Sequence, residues 1–167
     1  MVVLALLLVV LNGFVVAAEF SFVKVRRTQL KLLAAEGDKR AISALFGVRH
    51  LDAYLSVCQL GITLASLGLG WLGEPAVARL LEPVFGWFFI TSPQLQHSIA
   101  VAFGFTIITF LHVIFGELVP KSISIQLAEA TVLRLARPMR FFYMLCLPLV
   151  TVMNSISNLV LRLIGVP

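Results

Sequence analysis

Glu19 and Glu117 each stand inside a long apolar run. A carboxylate in hydrocarbon is costly to keep ionised, which makes each a candidate functional residue. Glu19 lies five residues before Lys24 and Glu117 four before Lys121. At 1.5 Å per helical residue, both sit roughly 6–8 Å inside the corresponding end of their runs. The matching depth permits one shared site. The competing explanation is that each carboxylate snorkels or pairs with a nearby Lys or Arg. Ser56, Gln59, Thr63 and Ser66 follow the spacing i, i+3, i+7, i+10, which confines them to an arc of about 80° on a helix. Asn12 and Glu19, seven apart, share a helical face, and Thr106, Thr109 and Glu117 lie near one another around a third run. Three facing stripes would enclose a path lined with oxygen. The same hydroxyls and amides also join transmembrane helices by hydrogen bonding, and Gly61, Ala65, Gly68 and Gly70 suit close packing under either view.

The sharpest local feature is Gly116-Glu117-Leu118-Val119-Pro120-Lys121. Pro120 has no N–H, so in an α-helix the carbonyl of Gly116 loses its donor, and glycine there relieves the clash with the ring. A free carbonyl oxygen then lies beside a carboxylate. At membrane depth such an oxygen must be satisfied, and irregular backbone is tolerated where it lines a site. The competing reading is a simple helix stop at the membrane boundary. Carboxylate, carbonyl, hydroxyl and amide oxygens suit Mg²⁺, Ca²⁺ or Na⁺, without choosing among them. His50 and His97, at helix ends, and His112, alone within its run, read as structural and not as ligands.

The elements that must position these groups are membrane helices. Of the 167 residues, 60% are hydrophobic and 13% charged, against about 25% charged in soluble domains. Mean hydropathy is +1.02. Residues 2–23, 51–72 and 99–119 approach or exceed the ~20 residues that cross a bilayer. The expected fold is all-α integral membrane, with three transmembrane helices plus cytoplasmic-face juxtamembrane helices. The first run is too long for a signal peptide, lacks a basic leader and contains Asn12 and Glu19, so it is expected to remain in the mature protein.

Lys24, Arg26, Arg27, Lys31, Lys39, Arg40 and Arg49 lie between the first and second runs, only Arg79 between the second and third, and Lys121, Arg134, Arg137 and Arg140 after the third. The positive-inside rule then puts the N-terminus outside, and the loop 24–50 and the C-terminus in the cytoplasm. This topology and anionic lipid account for the net charge of +5 without a nucleic-acid partner. Residues 74–98, with Pro75, Pro83 and Pro93 and the aromatic group Trp87, Phe88 and Phe89, are expected to form broken or interfacial helices on the outer face. Residues 1–140 make the transmembrane core. Residues 141–167, interrupted by Pro148 and followed by Asn154, Ser155, Ser157, Asn158 and Arg162, are expected as amphipathic juxtamembrane helices in preference to a fourth crossing. Cys58 and Cys146 lie in apolar runs without ligand spacing and read as small packed hydrophobes. Neither His-Glu-x-x-His nor Gly-x-Ser-x-Gly occurs, so no enzyme is expected.

The run Gly116 to Ile123 resembles the signature of the CorC/CNNM membrane domain. So do Asn12-Gly13-Phe14 leading to Ala17-Ala18-Glu19-Phe20-Ser21, the stretch Glu36-Gly37-Asp38-Lys39-Arg40-Ala41, and Gln59-Leu60-Gly61-Ile62-Thr63-Leu64-Ala65-Ser66. Four ordered motifs cover almost the whole chain. The resemblance implies a homodimer in the cell membrane, Mg²⁺ export driven by Na⁺ entry, and an ATP-sensing tandem CBS module on the cytoplasmic side. A candidate ion site then draws on Glu117, Glu19, Ser66, Gly116, Ser21, Gln59, Thr63 and Asn12, with Pro120 and Lys121 in a structural or gating role. Val16 stands where family members often have Ser, and Ser66 where they often have Asn, so no ligand is carried onto Val16. An alternative function is a membrane anchor and sensor that binds the ion, moves none, and signals to a cytoplasmic domain.

Overall fold

A computed structural model describes residues 1–87 and 92–165. Its elements are α1 (Val2–Lys24), α2 (Arg27–Ala35), α3 (Lys39–Arg49), α4 (Leu51–Trp87), α5 (Pro93–Leu111), a π-turn (His112–Leu118), α6 (Val119–Gln126) and α7 (Ala128–Leu163). The fold is all-α, as the apolar runs predict. Among the described residues four helices, where three crossings are expected, are long and apolar enough to cross a membrane: Val2–Lys24, Leu51–Leu81, Pro93–Gln126 and Ala128–Leu163.

Two expectations about boundaries change. Helix α4 does not break after Leu72; it continues to Trp87 with Pro75 and Pro83 inside it, each proline removing a single backbone donor. Pro93 instead starts α5 at its first turn, where a missing N–H has no cost. Of the aromatic group expected near the outer face, Phe88 and Phe89 lie outside the described residues. Of the segment 141–167, expected as amphipathic juxtamembrane helices, the part up to Leu163 belongs to one 36-residue helix that begins at Ala128 and contains Pro138 and Pro148.

The chain forms two compact units. Met1–Val16 and Gly61–Ser122 make the first, and Ala17–Leu60 with Ile123–Pro167 make the second. In the first, Ala5, Val9 and Leu69 are buried and Leu8 and Ile108 pack against them. Gly68 accommodates Leu8, since a Cβ there would meet the leucine Cδ1 at 3.1 Å. Outward from this core, Val3, Leu7, Val10, Leu67, Trp71, Phe103, Phe105 and Phe110 are exposed, an apolar covering suited to lipid.

In the second unit, α3 packs against α2 and α7. Asp38 caps α3 by accepting the Arg40 N–H at 2.7 Å, and the side-chain hydrogen bond from Arg40 holds the Asp38 carboxyl below the usual carboxylate range. The preceding Gly37 has φ +90°, a conformation open to glycine at little cost. At the other end of α3, Arg27 donates to Val48 O at 3.0 Å, so a guanidinium meets one of the helix's last carbonyls. On α7, Val132, Ala136, Met139, Tyr143 and Val150 are buried at helical spacing along one stripe. Phe22, Phe46, Tyr54 and Tyr143 form one aromatic group: Tyr54 stacks on Tyr143 at 4.6 Å, Phe22 meets Tyr54 at 5.1 Å, and Phe46 meets Tyr143 edge-on at 5.9 Å. The Arg140 guanidinium lies 4.6 Å over the Phe46 ring.

Candidate functional site

Within the first unit, the site is built by the helix irregularity that Pro120 imposes. Between His112 and Leu118 the backbone widens to π register, and Val119 N–H reaches back five residues to Ile114 O. In that register the carbonyl whose donor Pro120 lacks is that of Phe115, one residue earlier than the α-helical rule gives. Gly13 of α1 faces this point. A Cβ at Gly13 would lie 3.0 Å from Pro120 Cγ and 3.1 Å from Phe115 O, so only glycine lets the two backbones approach this closely.

Asn12, fully buried, donates from Nδ2 to Gly116 O at 2.9 Å. The Gly116 oxygen, expected to be freed beside the carboxylate and to need a partner, is met by an amide 104 residues away. Asn12 Oδ1 is buried and has no hydrogen-bond partner. Leaving such an oxygen unsatisfied costs about 1–3 kcal/mol. Gly116 itself is buried, with His112 Cδ2 3.0 Å and Asn12 Nδ2 3.1 Å from the place a Cβ would occupy.

Glu117 is half-buried, its side chain 44% exposed, with Oε1 3.9 Å from His112 Nδ1. The other ring nitrogen, Nε2, lies 3.4 Å from Ser66 Oγ. Five residues are 140° out of phase on an α-helix; the π-turn brings residues 112 and 117 back to one side. A cavity of about 250 Å³ adjoins these groups, lined among others by Ser66, Gly70, Gly73, Gly104, Thr109 and His112. His112, read from sequence as structural, is brought by this geometry beside both Glu117 and Ser66. An i, i+5 spacing carries no signal unless the π register is known.

The remaining expected residues are distributed as follows. Gln59 and Thr63 are exposed on α4, with Ser66 partly buried at the edge of that stripe. The buried face of α4 is the opposite one, carrying Tyr54, Cys58, Gly61, Ala65 and Leu69, because small residues let a membrane helix approach its neighbours. Of the polar stripe, Ser66 is thus partly buried and so is Ser56, which donates to Asn154 Oδ1 at 3.3 Å, whereas Gln59 and Thr63 are exposed. Thr106 is exposed and bonds back to Ala102 O at 2.8 Å. Ser21 is fully buried and donates to Ala18 O at 2.9 Å. Glu19 is partly buried and belongs, with Ser21 and Gln59, to the second unit, whereas Asn12, Ser66, Gly116 and Glu117 belong to the first. Lys121 is exposed and Pro120 partly buried. Among the described residues no three His, Cys, Asp or Glu side chains gather as a metal cluster, so any ion here draws on backbone, amide and hydroxyl oxygen as well.

Residues 3–167 match the family described as the Cyclin M transmembrane N-terminal domain, CNNM. The chain belongs to the CNNM family. It is similar to UPF0053 protein YugS of Bacillus subtilis, 44% identical over 158 residues, 95% of this chain and 37% of the relative. UPF0053 protein YhdT of the same organism is 46% identical over 158 residues, again 95% of this chain and 34% of the relative. An uncharacterized protein of Mycobacterium tuberculosis, MT1889, is 40% identical over 165 residues, 99% of this chain and 46% of the relative. This CNNM domain thus spans between a third and a half of the length of these curated relatives. With its long apolar helices it is a multi-pass membrane protein.

Proposed function

We propose that this CNNM domain is the ion-translocating part of a Mg²⁺ transporter of the cell membrane, exporting Mg²⁺ in exchange for Na⁺. The observation that carries the reading is the buried Asn12 Oδ1 without a partner, on the side chain that holds Gly116 O, one residue from the carboxylate of Glu117. Mg²⁺ takes near-octahedral oxygen ligands and gives up water reluctantly. Neutral oxygens from Asn12 and Gly116, a charge from Glu117 and a hydroxyl from Ser66 supply donors of that class, and water from the adjoining cavity completes the shell. Negative charge offsets dehydration in low dielectric, which gives Glu117 the central role. The homodimer, the cytoplasmic CBS module and the orientation with residues 24–50 inside are parts of the same reading, the last resting on the Lys and Arg asymmetry.

Replacing Glu117 by Gln keeps shape and hydrogen bonding while removing the charge. The folded variant is expected to lose Mg²⁺-dependent thermal stabilisation and Mg²⁺ efflux from reconstituted vesicles. A Gln variant that is folded yet binds and moves Mg²⁺ like the parent refutes the site. Binding without flux in the parent would favour an ion-sensing membrane anchor over a transporter.

A further inference from the structure

Oxygen donors alone leave one feature of the π-turn unused, the imidazole of His112. Its Nδ1 stands 3.9 Å from Glu117 Oε1, too far for a hydrogen bond. Two metal–ligand bonds of about 2.0–2.2 Å, meeting at an obtuse angle, span that distance. The ring is also oriented from its far side. Ser66 Oγ lies 3.4 Å from Nε2, at the long end of hydrogen-bond reach; in the tautomer that carries its proton on Nε2 the hydroxyl accepts it, and Nδ1 is left with the lone pair that a metal ion needs. A ligating histidine commonly has its second nitrogen held in this way. His112 is mostly buried, its side chain 16% exposed, while Glu117 is half open. The cavity beside the ring has room for the waters that would complete a coordination shell.

We propose that His112 and Glu117 form an imidazole–carboxylate site for a borderline divalent transition-metal ion, of the class of Ni²⁺ and Zn²⁺. Imidazole favours these ions, whereas an all-oxygen site suits Mg²⁺. The site shares Glu117 with the Mg²⁺ reading but needs neither Asn12 nor Gly116, and it needs no transport. The π-turn is what creates it, because in α register residues 112 and 117 point 140° apart.

The test uses the tag-free chain in detergent, with Ni²⁺ alone and Mg²⁺ alone as probes, read by thermal stabilisation and equilibrium dialysis. The parent should bind Ni²⁺ at a concentration at least tenfold below that needed for Mg²⁺. In His112→Asn the Ni²⁺ affinity should fall at least tenfold, with a much smaller change for Mg²⁺. A His112→Asn variant that binds Ni²⁺ like the parent overturns the proposal. X-ray absorption at the nickel edge of the unmutated protein tests it without any substitution: imidazole scattering from one histidine is expected, and its absence overturns the site. Glu117→Gln should weaken binding of both ions, since both readings use this carboxylate: Ni²⁺ binding retained in the folded variant overturns the imidazole–carboxylate site, and Mg²⁺ binding retained sinks the magnesium site, so the two failures are read apart.

Discussion

Asn12→Leu removes in one step the Nδ2 donor that meets Gly116 O at 2.9 Å and the Oδ1 that meets nothing. The two changes oppose each other. Orphaning a buried carbonyl costs about 1–3 kcal/mol, and measured interhelical hydrogen bonds in membranes average only ~0.6 and reach ~1.7 kcal/mol. Removing an unsatisfied buried oxygen returns about 1–3 kcal/mol. Leucine keeps the branching and heavy-atom count of asparagine, so no cavity is opened, and the small outward shift its methyl needs from Gly116 O is common to both conditions. Without divalent ions the variant should therefore match the parent within about 1 kcal/mol. If Oδ1 is a Mg²⁺ ligand, the balance changes once the ion is present. At one hundred times its Kd, a ligand that binds only the folded state stabilises by about 2.7 kcal/mol. The parent gains this, and the leucine variant gains little of it. Unfolding in detergent, followed by helical circular dichroism with and without Mg²⁺, measures both gaps. A difference between parent and variant that is equal in the two conditions refutes the argument and makes Asn12 a helix-packing residue only.

Gly47 packs so tightly against the rings of Phe22 and Tyr54, the latter 2.9 Å from where a Cβ would stand, that Gly47→Ala should destabilise the second unit by about 1–3 kcal/mol; a thermal scan showing no loss would mean the rings yield without strain. A cysteine at exposed Glu36, in a background lacking Cys58 and Cys146, should resist an impermeant thiol reagent added outside intact cells and react after permeabilisation. Labelling from outside would refute the orientation derived from the Lys and Arg asymmetry.

The helices were legible because uninterrupted apolar length is set by the bilayer, not by the packing of the fold, and Val2–Lys24 begins and ends almost where the sequence puts it. Legibility failed where tertiary packing decides. Gln59, Thr63 and Ser66 are periodic, but so are Gly61, Ala65 and Leu69 opposite them, and close approach favoured the small residues. The prolines differed in legibility: Pro75 and Pro83, expected to break the segment, stay inside α4, while the irregular backbone expected before Pro120 is there as a π-turn, in a register that frees a different carbonyl. Glu117, Gly116 and Asn12 could be named from residue type and depth. Their pairing, and the entry of His112, depend on a register shift that composition does not encode.

Cys58 and Cys146 are both free, yet rings from α1, α3, α4 and α7 are gathered within 4.6 to 6.3 Å of one another. Such rings lose only two side-chain torsions each on ordering, and each pair adds roughly 0.5–1.5 kcal/mol beyond area burial. They do the work of a staple without a covalent bond. Joined in this way, these four helices keep their grip whether the surrounding compartment is oxidising or reducing, and thiol reductants have nothing here to cut.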